Sequence, residues 1–280
     1  MDVNWGSLGH PVGKRDQAHL LHVRETSAAR LRHAFYRSGA RVVQEGLGHP
    51  AILYRVGGPV SDAETGQEIF QRRLTYLPAG YEGTARYEGN SHVLALELTS
   101  SRYLSIFPGG AETRPVPLIA PFYGSIWDIL IMVATGTAES GINSYIRKTV
   151  PYFALFVETR PLGWLGHLLD TLHLDWHNPP LLDELAETYG KSKQHICRTF
   201  KAATGTTVHR YSMMIRLDYA RGLIWCTDLP LGEIASAVGF TDQSHLTRAL
   251  SMHHAITPRR LRLAVPCMRR DRFFVGEALE

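Results

Sequence analysis

The last hundred residues of this 280-residue chain carry one pattern twice. LDELAETYGKSKQHICRTFK begins at Leu182, and LGEIASAVGFTDQSHLTRAL begins at Leu231. Leu185-Ala186 matches Ile234-Ala235, Gly190 matches Gly239, and Arg198 and Phe200 match Arg248 and Leu250. The offset is 49 residues before the turn and 50 after it, so the second copy has one extra turn residue. Each copy predicts a helix, a tight turn and a second helix. In the first copy Leu182, Leu185 and Ala186 make an i, i+3, i+4 apolar stripe. Gly190 and Gly239 end the leading helices, because the residue past a helix terminus often needs positive φ. Ser192 caps the next helix in copy one, and Thr241 or Asp242 does so in copy two. Those second helices bury Ile196, Phe200 and Ala203, or Leu246, Ala249 and Leu250. Between the copies, TVHRYSMMIRLDYARGLIWCT (207–227) keeps a helical period and predicts one long helix. Thr257-Pro258 then gives a cap and a first-turn proline for a last short helix.

The faces opposite the buried stripes are rich in hydrogen-bonding groups. Copy one presents Gln194, Cys197, Arg198 and Lys201, and copy two presents Gln243, Ser244, His245, Thr247 and Arg248. Arginine can donate two bonds to guanine O6 and N7, glutamine can pair with adenine, and serine and threonine suit several base edges. Charge points the same way. Residues 1–180 hold 16 Lys+Arg against 16 Asp+Glu, whereas 181–280 hold 14 against 10, so the whole net charge of +4 lies in the second part. A basic excess confined to one region suits a polyanion partner.

On LAETYGKSKQHICRTFK, IRLDYARGLI, IASAVGFTDQSHLTRAL and ITPRRLR, residues 182–262 resemble the DNA-binding domain of the AraC/XylS family of bacterial transcription regulators. Ala255 stands where that family usually has glycine, and Leu246 and Leu250 stand where phenylalanine is common. The resemblance implies a seven-helix domain with two recognition helices in successive major-groove segments, about one turn (~10 bp) apart. It places base-reading positions on Gln194, Cys197, Arg198, Gln243, Ser244, His245, Thr247 and Arg248. Lys191, Lys193, Lys201 and Arg210 are expected to meet phosphates and set the register. An oxidised Cys197 would disturb such an interface.

Upstream the period changes. From about 40 to 107 short alternating runs such as AILYRV, RRLTYL and HVLALEL are separated by turn residues, which predicts a small barrel or sandwich. A Pro/Gly-rich connection follows at 108–121. Helices are predicted over 122–136, 140–158 and 161–176, and HNPP at 177–180 breaks the chain. AraC-type proteins often join their DNA-binding domain to a cupin-like barrel, and residues 40–107 are similar in pattern. The expected class is therefore α+β: a cupin-like β-barrel with following helices, then an all-α domain with two helix-turn-helix motifs joined by a long helix. The divisions are 1–120 for sensing, 121–178 for a helical dimerisation or linker region, 179–265 for DNA binding, and 266–280 as a tail. Ile126, Ile129, Leu130 and Val133, then Leu165, Leu168, Leu169 and Leu172, make apolar faces that either pair two chains or pack on the barrel.

Other chemistries lack support. His49 and His92 stand alone in the strand region, with no H-x-H, so no metal site is expected. No G-x-S-x-G, P-loop or G-x-G-x-x-G occurs. Cys197, Cys226 and Cys267 are odd in number and widely spaced, which argues against disulfides or a zinc knuckle. The longest apolar run, WDILIMVA at 127–134, is too short to span a bilayer, and a cytoplasmic protein is expected. The expectation is thus a non-enzymatic, cofactor-free regulator, an effector-responsive activator with duplex DNA as partner. A small-molecule effector, a second copy of the chain and, for an activator, RNA polymerase complete the partners. The alternatives are an architectural DNA binder without sequence preference, and a cupin enzyme with a DNA-binding tail.

Overall fold

The structure is a computed structural model, and it describes residues 10–12, 17–69, 73–101, 103, 114–134, 136–159, 161, 163–254 and 257–264. The 266–280 tail, residues 108–113 of the Pro/Gly-rich connection, Ala255, Cys267 and the side chains of Leu130, Val133 and Cys226 fall outside the described residues. The chain forms two compact units. One holds the strands up to Leu118 together with Ser125–Glu158, and the other holds Ile119–Gly124 and Thr159–Arg269.

The first unit is built of two antiparallel sheets. One has the order β1 (His10–Val12), β4 (Arg41–Gln44), β9 (Gly83–Tyr87), β6 (Val60–Asp62), β7 (Glu68–Ile69). The other has the order β11 (Val116–Pro117), β8 (Leu74–Leu77), β5 (Ala51–Gly57), β10 (Ser91–Glu97), β3 (Arg30–Tyr36), β2 (Ala18–Glu25). Neither sheet closes on itself, so among the described residues the expected barrel is a pair of facing sheets. Their inner faces share one core, in which Ala34, Tyr36 and Val93 meet Val42, Val60, Ala85 and Tyr87. Tyr36 and Tyr87 stack across it at 4.4 Å.

Strand β10 shows why these residues form this layer. Every residue of Ser91–Glu97 is buried. Val93 and Ala95 face the sheet of β4, β9 and β6, while Leu94 sits beside Tyr54 in register, and Tyr54 packs edge-on against Trp127. Trp127 belongs to α1 (Tyr123–Ala134), so helices cover the outer face. The next helix, α2 (Glu139–Thr159), is tied down at its start: the Ser27 amide donates to the Glu139 carboxylate (2.7 Å) and Asn143 donates to Ser27 Oγ (2.9 Å). Glu97 is buried at the end of β10 and survives there because Arg32 (3.2 Å) and Arg30 (3.4 Å) both reach its carboxylate.

The second unit is helical. It contains α3 (Trp164–Leu174), α4 (Leu182–Tyr189), α5 (Lys193–Thr204), α6 (Val208–Cys226), α7 (Leu231–Ala237), α8 (Gln243–His254) and α9 (Pro258–Ala264). Tyr123 and Gly124, at the start of α1, belong to this unit together with the short turn Ala120–Phe122. The 19-residue α6 is central: it packs against α3, α5, α7, α8, α9 and that turn. Tyr211, Ile215, Leu217, Ala220 and Ile224 of α6 are fully buried. Leu165, Leu168, Leu169 and Leu172 of α3 are buried within the chain, as are Ile126 and Ile129 of α1, so these apolar faces are taken up by packing inside one copy.

Candidate nucleic-acid interface

The two sequence copies become two similar helix pairs. Helices α4 and α5 meet at Gly190, which adopts the left-handed conformation (φ 58°, ψ 36°) that glycine reaches without a Cβ clash. Ser192 then caps α5 by accepting from the His195 amide (3.2 Å). In the second pair Gly239 has φ 74°. Of the two candidate caps it is Asp242 that serves, accepting from the His245 amide at 2.7 Å. That bond, followed by the Ser244 amide and the nearby Arg248 and His245, holds the Asp242 carboxyl below its usual pKa. Thr207 and Thr257 cap α6 and α9 in the same way, each at 3.3 Å.

Burial orients the two second helices. On α5, Ile196 and Phe200 are fully buried, and Gln194, Cys197, Arg198 and Lys201 are all exposed. On α8, Leu246 and Leu250 are fully buried, Ala249 is buried, and Gln243, Ser244 and Arg248 are exposed. A turn of about 100° per residue places Gln194, Arg198 and Lys201 opposite Ile196, and Ser244 and Arg248 opposite Leu246. Cys197 and Thr247 lie on one flank, with Thr247 half-buried. Cys197 forms no disulfide. His245 lies on the other flank, also half-buried, 3.4 Å from Thr241 Oγ1 and edge-on to the Phe240 ring at 5.0 Å.

Lys191 is exposed just before α5, and Arg210 is exposed in the first turn of α6. Lys193 is exposed as well, and its ammonium forms an ion pair with Asp183 of α4. The opposing aspartate makes Lys193 a weaker cation for an outside anion than Lys191 or Lys201.

Three side chains near these helices escaped the sequence reading. His195 stands 50 residues before His245 and is half-buried in the same way, against Trp164 of α3 (5.8 Å); the repeat offset alone would have found it. Arg216 of α6 donates to the Gly239 carbonyl (3.2 Å) and lies over the Phe240 ring at 5.8 Å. Phe240 is buried beneath that turn. In the other unit His92 is not alone: its Nδ1 lies 2.8 Å from Nε2 of His33, a pairing made by neighbouring strands and invisible in sequence spacing. Among the described residues no group of three His, Cys, Asp or Glu is placed to hold a metal ion, and no helix is long and apolar enough to cross a membrane.

Comparison with known proteins places this arrangement. A family model described as a helix-turn-helix domain matches residues 185–264. Over 94 residues the chain is 28% identical to the HTH-type transcriptional activator RhaR of Klebsiella pneumoniae, covering 34% of each protein. Over 86 residues it is 36% identical to the right origin-binding protein of Escherichia coli, covering 31% of this chain and 29% of that one. The matches therefore span about a third or less of these relatives' lengths. A solved transcriptional regulator from Chromobacterium violaceum, titled as an AraC-type DNA-binding domain-containing protein, is 28% identical over 38% of this chain and 94% of its own, with a TM-score of 0.35. Residues 185–264, then, carry a helix-turn-helix domain of the AraC type.

Proposed function

We propose that the second unit reads duplex DNA through α5 and α8 and that the chain is a transcription regulator, not an enzyme. In this reading α4–α5 and α7–α8 are two helix-turn-helix motifs joined by α6, and each second helix enters one of two adjacent major-groove segments. The observation that carries it is the matched pair of exposed stripes. Gln194 and Arg198 on α5 repeat as Ser244 and Arg248 on α8, each set opposite a buried aliphatic residue. These groups, with Cys197 and Thr247 beside them and Gln243 and His245 at the start of α8, supply the donors and acceptors that base edges require. Lys191, Lys193, Lys201 and Arg210 would meet phosphates, with Lys193 the weakest because of Asp183.

The rest of the chain fits a regulator acting in the cytoplasm, where its DNA is. The relative RhaR is named a transcriptional activator, which supports activation here and, with it, contact with RNA polymerase. In the first unit a cavity of about 430 Å³, lined by Asp62, Glu68, Thr75, Tyr81, Glu82 and Arg114, has the size of a small-molecule site and supports an effector role for residues 1–120. A homodimer completes the reading, because paired chains would double the reading helices on one duplex.

Selection of fragments from random duplexes by the full chain tests the proposal. A specific reader should prefer its selected site to random DNA by about 10³-fold or more. If roughly six to eight phosphates are neutralised, log affinity should fall with log salt at a slope of about −5 to −7. Equal binding of selected and random duplexes would refute sequence reading and leave an architectural binder.

A further inference from the structure

We infer that α6 aligns the two reading helices through two separate side chains: Tyr211 positions α5, and Arg216 positions α8. This rests on the DNA-reading role proposed above. Tyr211 is fully buried, and the ring of Phe200 meets it edge-on at 5.2 Å and 87°. Phe200 is the buried anchor of α5, on the side opposite Gln194 and Arg198. Any tilt of Tyr211 is therefore passed to the face that would read bases.

Tyr211 is itself held by residues outside the 185–264 match. Its hydroxyl accepts from the Ala120 amide (3.3 Å) and lies 2.9 Å from His173 Nε2. The other nitrogen of that imidazole lies 3.2 Å from the Tyr123 hydroxyl. Ala120, Tyr123 and His173 are all buried. Helix α3, which carries His173, supports the same half again: Trp164 packs 5.8 Å from both Tyr189 and His195, and Thr171 Oγ1 lies 3.3 Å from the Tyr189 hydroxyl. The segment 120–123 and helix α3 thus act as a buttress for the first helix pair.

Arg216 lies five residues further along α6, about 140° around the helix. Its guanidinium donates to the Gly239 carbonyl at 3.2 Å and covers the Phe240 ring at 5.8 Å. Phe240 in turn meets His245, in the first turn of α8, edge-on at 5.0 Å. Arg216 fixes the turn that launches α8, as Tyr211 fixes the core of α5. Both are positioning residues, since neither lies on the stripe that would face DNA.

The test uses the full chain and a duplex that it selects from random sequence. Loss of base preference in Arg198→Ala and in Arg248→Ala first assigns each subsite. Tyr211→Phe removes only a hydroxyl. It should lower discrimination at the Arg198 subsite about fivefold, the worth of one buried hydrogen bond, and leave the Arg248 subsite within about twofold. Arg216→Met keeps the apolar stem and should give the reverse pattern with a similar loss. Trp164→Leu, at a half-buried site, should follow Tyr211→Phe. Equal loss at both subsites, or no loss in either variant, would overturn the separate alignment while leaving DNA reading intact. A wild-type chain without base preference would remove the DNA reading itself, and this inference with it.

Discussion

At the residue scale, exposed side chains on one helix face differ in what they contribute. Arg248 and Lys201 are both exposed cations on second helices, but a guanidinium can grip one base and an ammonium is a point charge. Arg248→Ala should cost about 1–3 kcal/mol on the selected site and relax preference at one position. Lys201→Ala should weaken binding to every sequence alike and reduce the salt slope by about 1. Titrations on selected and scrambled duplexes at three salt concentrations separate the two. A uniform loss with Arg248→Ala would contradict base reading. Asp242 belongs to stability instead. Its carboxyl is held below the ordinary range by the His245 amide, so the folded chain keeps it ionised at pH values where the unfolded chain takes up a proton. The contribution is complete above the ordinary carboxylate pKa and is lost as pH falls through the depressed value. Asp242→Ala should lower the melting temperature at neutral pH, and the gap from wild type should close as the solution is acidified.

At the element scale the helical unit was largely legible in sequence, because its signals are local. Gly190, Ser192, Thr207 and Thr257 each act within four residues of their own position, and the i, i+3, i+4 stripes show their buried faces directly. The repeat also fixed where Gly239 must fall. What it hid was the support from elsewhere: Trp164 and Arg216 act on α5 and on the second turn across gaps of more than twenty residues. The two turn glycines differ for this reason. A Cβ at Gly190 (φ +58°) would meet open space, whereas one at Gly239 (φ +74°) would approach Arg216 Nη1 at 3.4 Å. Gly190→Ala should therefore cost about 1–2 kcal/mol, the left-handed backbone penalty alone. Gly239→Ala should cost at least as much and should also loosen Arg216 from the turn. Denaturant unfolding of both variants, with wild type, checks the order. A larger loss at Gly190 would show that the Arg216 contact does not govern the second turn.

At the scale of the whole molecule the strand region was legible as strands and not as an arrangement. Alternation in HVLALEL gives two faces but not which partner covers each, and here sheet and helices cover both, so the pattern carries no exposed side. Pairing between strands is likewise non-local: β10 meets β3 across more than fifty residues, and only that register brings His92 onto His33. Closure into a barrel depends on how strands tilt and stagger, which alternation leaves open, and two sheets result. The histidine pair gives the first unit a pH response of its own. Burial, with Phe35 packed at 4.9 Å, pushes His92 down to about 4 from an ordinary value of 6.5. The unfolded chain therefore binds a proton before the folded one does, and falling pH favours unfolding. Stability should be lost between about pH 6.5 and 4, on the order of 3 kcal/mol in all, with no further loss from this group below that window. His92→Gln has no such proton to bind, so its curve of stability against pH should be flatter than wild type across the same window. Calorimetric scans of both full-length proteins at intervals from pH 7.5 to 4.5 provide the measurement. Parallel curves for variant and wild type would show that His92 does not set the acid sensitivity of the two-sheet unit.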